Sequence, residues 1–132
     1  MKEFIEEYVE SIHTCLVGIP REDIQRLAGT LLLACERGAT IFIAGNGGSA
    51  ATASHLACDL TKTTLGTNPR DKSNRFRAVS LSDNVALMTA WANDEGYEHI
   101  FSEQIKNLGR VDDVLVVTSA SGNSPKKEIN AR

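Results

Sequence analysis

A chain of 132 residues, 42% hydrophobic and 23% charged, has room for one domain with a real core, and its composition is neither disordered nor fibrous. A net charge of -3 speaks against nucleic acid as the main partner, because binding a phosphate backbone needs a basic face. No apolar run approaches the roughly 20 residues that span a bilayer, so no membrane partner is expected.

Residues 2 to 16 place Phe4, Ile5, Tyr8, Val9, Ile12, Cys15 and Leu16 at the spacing of an amphipathic helix, and Gly18 and Pro20 break it. This start is acidic and amphipathic, unlike a signal peptide, and predicts a cytoplasmic protein. A second helix is expected from Pro20, with Glu22 and Asp23 in its first turn and Gly38 as its C-cap. ATIFIAG then reads as a short buried strand. SAATASHLACDLTK reads as a helix, TTLGTNPRDKSNR as a polar loop and FRAVSLS as a second strand. DNVALMTAWAND follows as a helix capped by Asp83, YEHIFSEQIKNLG as another, and DDVLVVTSAS as a third strand. GNSPKKEINAR opens a helix that the sequence barely begins. Strands separated by helices imply right-handed crossovers and a parallel sheet with helices on its faces. Three strands make a thin sheet of this kind, so the sequence reads as part of a domain: helices over 1–38, then an incomplete α/β core over 39–132. The three cysteines, Cys15, Cys35 and Cys58, show no CxxC spacing and are expected as buried, reduced thiols.

Two strand ends share one design. AGNGGSA follows the first strand and TSASGNSP the third. In doubly wound sheets the ligand crevice lies at the carboxyl ends of the strands, so both loops should face it. Gly45, Gly47 and Gly48 permit a tight bend and close approach of a ligand to the backbone. A helix starting near Ser49 would aim N–H groups and a positive dipole end at that ligand. The second loop offers Ser119, Ser121 and Ser124. Hydroxyls and backbone N–H groups without Lys or Arg suit a phosphate monoester. Either stretch alone is ordinary turn and cap chemistry; two at matching strand ends point to a site. The spacing is neither GxGxxG nor GxxxxGK[ST], which removes dinucleotides and nucleoside triphosphates.

His55 and Asp59 lie four apart and so on one helix face. Two readings stand: a structural histidine on a core-facing helix, or an imidazole–carboxylate pair for proton transfer or metal binding. Asn93 and Asp94 end a helix at the top of the sheet, as a polar C-cap or as a grip on sugar hydroxyls. His13 and His99 read as helix-face residues.

GNGGSAATASHLACDLTK and WANDEGYEHIFSEQIKNLGRVDDVLVVTSASGNSP, with the helical lead-in, resemble the SIS (sugar isomerase) domain, and within it the phosphoheptose isomerase group, from about Phe4 to Pro125. The resemblance implies a flavodoxin-like αβα sandwich with a five-stranded parallel sheet. It also implies homotetramers with sites at subunit boundaries, and conversion of sedoheptulose 7-phosphate into a heptose 7-phosphate. By motif, Asn46, Gly47, Gly48, Ser49, Asn93 and Asp94 would contact the sugar, and Ser119, Ser121 and Ser124 the phosphate. His55 aligns with a zinc-ligand position, and Asp59 with a glutamate that serves as metal ligand and base. Zinc is thus a cofactor on family resemblance only. The sequence departs from the family in three places. Asp59 is one methylene shorter than that glutamate, and Ala120 removes a hydroxyl that a threonine supplies. A glutamine and a histidine that the family carries on a later helix lie beyond Arg132. The expected function is therefore phosphosugar aldose–ketose isomerisation, and the alternative is a non-catalytic SIS module binding a phosphosugar or a protein, as replication-initiator-binding relatives do.

Overall fold

The apolar run after Gly38 becomes β1 (Thr40–Gly45), the middle strand of a parallel sheet ordered β2-β1-β3. Successive side chains of a strand point to opposite faces, and both faces of β1 are covered. Ile41 and Ile43 enter one core with Ala34, Ala39, Ala53, Ala57 and Leu60. Phe42 and Ala44 enter the other with Leu81, Ile100 and Phe101. A strand covered on both sides needs no polar alternation, so TIFIAG is apolar throughout. These positions come from a computed structural model that describes residues 1–65, 75–120 and 122.

β2 (Arg77–Ser80) pairs along one edge of β1, with Arg77 opposite Thr40. β3 (Val114–Thr118) pairs along the other, from Val114 opposite Ile41 to Thr118 opposite Gly45. α3 (Gly48–Thr61) crosses from β1 to β2 and buries Ala53, Ala57 and Leu60. α4 (Val85–Asp94) and α5 (Ser102–Leu108) lead from β2 to β3. Met88, Trp91 and Ala92 of α4 and Ile105 of α5 pack on the second core. The architecture is the α/β sandwich that the alternation of strands and helices implies.

The chain forms two compact units, Met1–Thr30 and a second that begins at Leu31, so the division falls inside α2 (Arg21–Arg37) rather than at residue 38. In the first unit, α1 (Lys2–Val17) carries its apolar stripe with no residue buried. α2 begins one residue after Pro20, whose carbonyl accepts from the N–H groups of Asp23 and Ile24. It ends as expected at Gly38, with φ of 67°. The N–H of Gly38 donates to Cys35 O and that of Ala39 to Ala34 O, a Schellman arrangement.

Four local expectations are corrected. The helix expected over 97–109 is two pieces: a 3₁₀ turn, Tyr97–His99, and then α5. Tighter bonds from His99 N–H to Gly96 O and from Ile100 N–H to Tyr97 O interrupt it, and adjacent Ile100 and Phe101 are both buried. The cap of α4 is Asn84, whose Oδ1 accepts from Leu87 N–H, and not Asp83, which instead accepts from Ser54 Oγ. Of the three cysteines only Cys35 is buried; Cys15 and Cys58 are exposed. Burial, with a smaller contribution from Glu36, pushes the Cys35 thiol above its ordinary range. The helix bearing His55 does face the core, but through Ala53 and Ala57, so His55 itself lies on the outer flank.

Side chains fasten both ends of the β1–β3 pair. At the start, the Asp113 carboxylate accepts from Thr40 N–H at 2.7 Å and from Arg110 N–H at 2.8 Å. At the end, the Thr118 hydroxyl lies 2.8 Å from Ser49 O and 3.2 Å from Ala44 O, sharing one proton between them. That closeness leaves no room for a side chain at Gly45, where a Cβ would overlap Ser49 O and Thr118 Oγ1. Gly45→Ala is therefore expected to lower stability by about 1–3 kcal/mol, the usual cost of overpacking, as a reduced urea midpoint with unchanged m-value. The bonds from Thr40 and Arg110 hold the Asp113 carboxyl below the usual carboxylate range. A depressed folded value gives stability that is present above the unfolded pKa of about 4 and is lost as pH falls through the folded value. Urea melts of Asp113→Asn against the unaltered chain should differ at pH 6 and converge toward pH 2; a pH-independent difference would refute the assignment.

Candidate functional site

β1 lies between β2 and β3, so the chain leaves it to one side and returns on the other. In a sheet of this kind the crevice opens outside the carboxyl ends of the strands where the order reverses. Here those ends are Gly45 and Thr118, opposite each other in register. Asn46 and Gly47 lead straight into α3, and Gly47 takes φ 56° and ψ -123°, a conformation that L side chains rarely adopt. Ser49 N–H donates to Asn46 O, and the N–H groups of Ala50 and Ala51 to Gly47 O. The bend and the first turn of α3 are thus one bonded unit, with the positive end of the helix dipole at the crevice. Asn46, Gly47 and Gly48 are exposed and Ser49 is half-buried, as a ligand-facing loop requires.

Across the crevice, Ser119 is exposed and its Oγ lies 3.5 Å from Gly122 O, with Gly122 at φ 58°. Ser121 and Ser124 lie outside the described residues, as does the helix expected after them. Asn93 and Asp94 close α4 and are exposed, with Asn93 Nδ2 donating to Asp94 Oδ1 at 2.7 Å. The connection between α4 and the first loop is Tyr97, whose hydroxyl donates to Asn46 Oδ1 at 2.9 Å. Ser82 adds a third support: its Oγ donates to Gly45 O at 3.0 Å. Tyr97, Ser82 and Thr118 were not among the residues expected from sequence. Their partners are 51, 37 and 69 positions away, and no local pattern records such contacts.

His55 and Asp59 do meet, with Nε2 of one 3.4 Å from Oδ2 of the other, and Asp59 Oδ1 also accepts from Thr63 Oγ1 at 3.0 Å. The His55 side chain is 80% exposed and that of Asp59 47%. At a rise of 1.5 Å per residue they lie about 10 and 16 Å along α3 from Gly48. The pair and the loops are therefore two separate features of one helix. A cavity of about 1340 Å³ opens elsewhere, beside β2, between Ser54 and Cys58 of α3, Asp83, Trp91 of α4 and Gln104 of α5. None of its lining residues comes from the Asn46–Ser49 loop or from Ser119, so the cavity is separate from the two loops.

Residues 4–127 match the model of the SIS domain. The phosphoheptose isomerase of Helicobacter pylori (strain ATCC 700392 / 26695) is 38% identical over 125 residues, which are 93% of this chain and 60% of that protein. The phosphoheptose isomerase of Bradyrhizobium sp. (strain BTAi1 / ATCC BAA-1182) is 38% identical over 102 residues, 76% of this chain and 48% of that protein. Among solved structures, phosphoheptose isomerase GmhA from Neisseria gonorrhoeae superposes with a TM-score of 0.77 at 34% identity, over 93% of this chain and 62% of that one. The chain thus spans about half to three-fifths of the length of these relatives. With a glycine bend and a serine loop at adjacent strand ends, and with the family model covering nearly all of its length, the chain belongs to the SIS domain family.

Proposed function

We propose that this chain is the phosphosugar-binding part of an aldose–ketose isomerase of the phosphoheptose type, acting on sedoheptulose 7-phosphate. One observation carries the reading: the Asn46–Ser49 bend and the Ser119 loop leave neighbouring strands at the point where the strand order reverses. Neutral donors and a helix N-terminus there suit a phosphate ester. Ser121 and Ser124 would add hydroxyls to the same phosphate, and Asn46, Gly47, Gly48, Asn93 and Asp94 would take the sugar. The relatives' name, phosphoheptose isomerase, supports the substrate. A phosphate ester is charged and does not cross membranes unaided, and no helix among the described residues is long and apolar enough to span one. A cytoplasmic location is part of this proposal and rests on the charge of the substrate.

Moving a carbonyl between C1 and C2 passes through an enediolate, which needs a base at carbon and a stabiliser for the oxyanion. Asp59 is the proposed base and His55 its partner. A ligand held by its phosphate at the loops meets them only along its carbon chain or from a second copy. Together with the unburied apolar stripe of α1, this favours a homo-oligomer, with a tetramer and sites at subunit boundaries as the working form. Zinc fits poorly. His55 and Asp59 supply two donors, catalytic zinc usually takes three protein ligands, and no group of three His, Cys, Asp or Glu occurs among the described residues. No step is therefore assigned to a metal.

Titration with sedoheptulose 7-phosphate should shift the amide resonances of Gly47, Gly48 and Ser119 most, and shifts confined to α1 would overturn the site. In a form of full family length, Asp59→Asn should abolish turnover while changing affinity only a few-fold; retained turnover would remove Asp59 as the base, and no turnover by the unaltered full-length protein would move the proposal to a binding module. Light scattering should give a mass well above 14.3 kDa at tens of micromolar, a range where modest interfaces associate. A clean monomer would remove the oligomer from the proposal.

A further inference from the structure

An asparagine offers a ligand either an acceptor oxygen or two N–H donors, and which one depends on how its carboxamide is turned. A loop that binds phosphate and sugar oxygens by neutral groups gains most from the donors. Asn46 is exposed on that loop, so nothing in its own surroundings favours one orientation. The constraint comes from Tyr97. Its hydroxyl donates to Asn46 Oδ1 at 2.9 Å, which occupies the acceptor and leaves both N–H bonds of Nδ2 for a ligand.

Tyr97 is itself held by the turn that also delivers Ile100 and Phe101 to the second core. Gly96 stands at φ 116°, which only glycine adopts readily, and its N–H donates to Trp91 O at the end of α4. The 3₁₀ turn that follows, Tyr97–His99, is closed by the bonds to Gly96 O and Tyr97 O. Immediately behind it Ile100 is fully buried in the second core. The phenol thus stands on a short turn anchored at both ends, three residues beyond Asp94. It is 46% exposed, far more than a residue placed for packing. Its ring could be any apolar group at that exposure, but its hydroxyl could not.

We infer that Tyr97 is a positioning residue for ligand binding: its hydroxyl turns the Asn46 carboxamide so that Nδ2 donates to the bound phosphosugar, and it ties the Asn93–Asp94 end of α4 to the glycine bend. This rests on the phosphosugar reading above. The contact that Tyr97 makes is with Asn46, and on this inference its effect on binding passes through Asn46.

The test compares the unaltered chain with Tyr97→Phe, Asn46→Ala and the double variant, using sedoheptulose 7-phosphate in calorimetry and reading the Asn46 side-chain amide by ¹⁵N NMR. Tyr97→Phe keeps the ring and should leave the urea midpoint unchanged. It should weaken binding about three- to tenfold, the scale of one oriented, partly exposed hydrogen bond. The same change made on the Asn46→Ala background should do almost nothing, because the group to be oriented is gone. The Asn46 Nδ2 resonances should move in the free Tyr97→Phe protein, before any ligand is added. Equal affinity in the unaltered and Tyr97→Phe chains would overturn this inference alone, as would full additivity in the double variant. No binding by the unaltered, folded chain would overturn the phosphosugar reading and this inference with it.

Discussion

The packing of three backbone segments against one another at Gly45 governs the rest. The last residue of β1, the first turn of α3 and the last residue of β3 come so close that a single methyl group would not fit between them. Thr118 fills the remaining space and bonds two of the three segments with one hydroxyl. Because Gly45 and Thr118 are also register partners, the two loops leave the sheet side by side. The spacing of the candidate binding groups is thus a consequence of strand pairing and does not depend on the loops finding each other. Ser82 Oγ on Gly45 O adds a fourth segment to the same small volume. A ligand bound there would meet a bend already closed by its own hydrogen bonds, so little ordering would be left to be done on binding.

β1 supports this arrangement because it is covered on both faces. Ile41 and Ile43 on one side and Phe42 and Ala44 on the other put it between two cores. Its neighbours are less protected: among the described residues β2 pairs with β1 alone and has Val79 exposed, and β3 shows Leu115 and Val117 to solvent. Stability in such a sheet is expected to grade outward from the central strand. The candidate site stands at the end of the most protected one.

This grading also explains what the sequence disclosed. TIFIAG and VLVVT are short apolar runs between glycines and polar turns, and their identity as strands follows from that pattern, although only the first is buried. The glycine bend before a helix and the serine loop were legible for the same reason, since backbone freedom and capping are local properties. Contacts that join distant segments left no local trace. The hydroxyls of Thr118 and Tyr97 read as an ordinary strand end and an ordinary helix position until the sheet order and the break before Ile100 are known. The break escaped notice because YEHIFSEQIKNLG has good helical periodicity, and only the burial of both Ile100 and Phe101 contradicts it. His55 shows the converse. Ala53 and Ala57 are real core residues, yet His55 lies two positions from each, and at about 100° per residue that turns it to the opposite flank.

On the isomerase reading, binding and chemistry would be divided along one helix. The N-terminus of α3 meets the crevice with fixed backbone groups, whereas His55 and Asp59 stand two to three turns further on, largely in water. Binding groups work well when exposed and pre-aligned. A base that removes a proton from carbon works best in a water-excluded site, where every electrostatic interaction is stronger. Asp59 has its two oxygens occupied by Thr63 and His55, which fix its direction without drying it. On the isomerase reading, the missing element is therefore a surface that covers this flank of α3, and the binding loops do not depend on it. On that reading the phosphosugar would be held at one end of the helix, and the chemistry at the other would depend on that cover. Loss of turnover without loss of binding is the behaviour such a division produces.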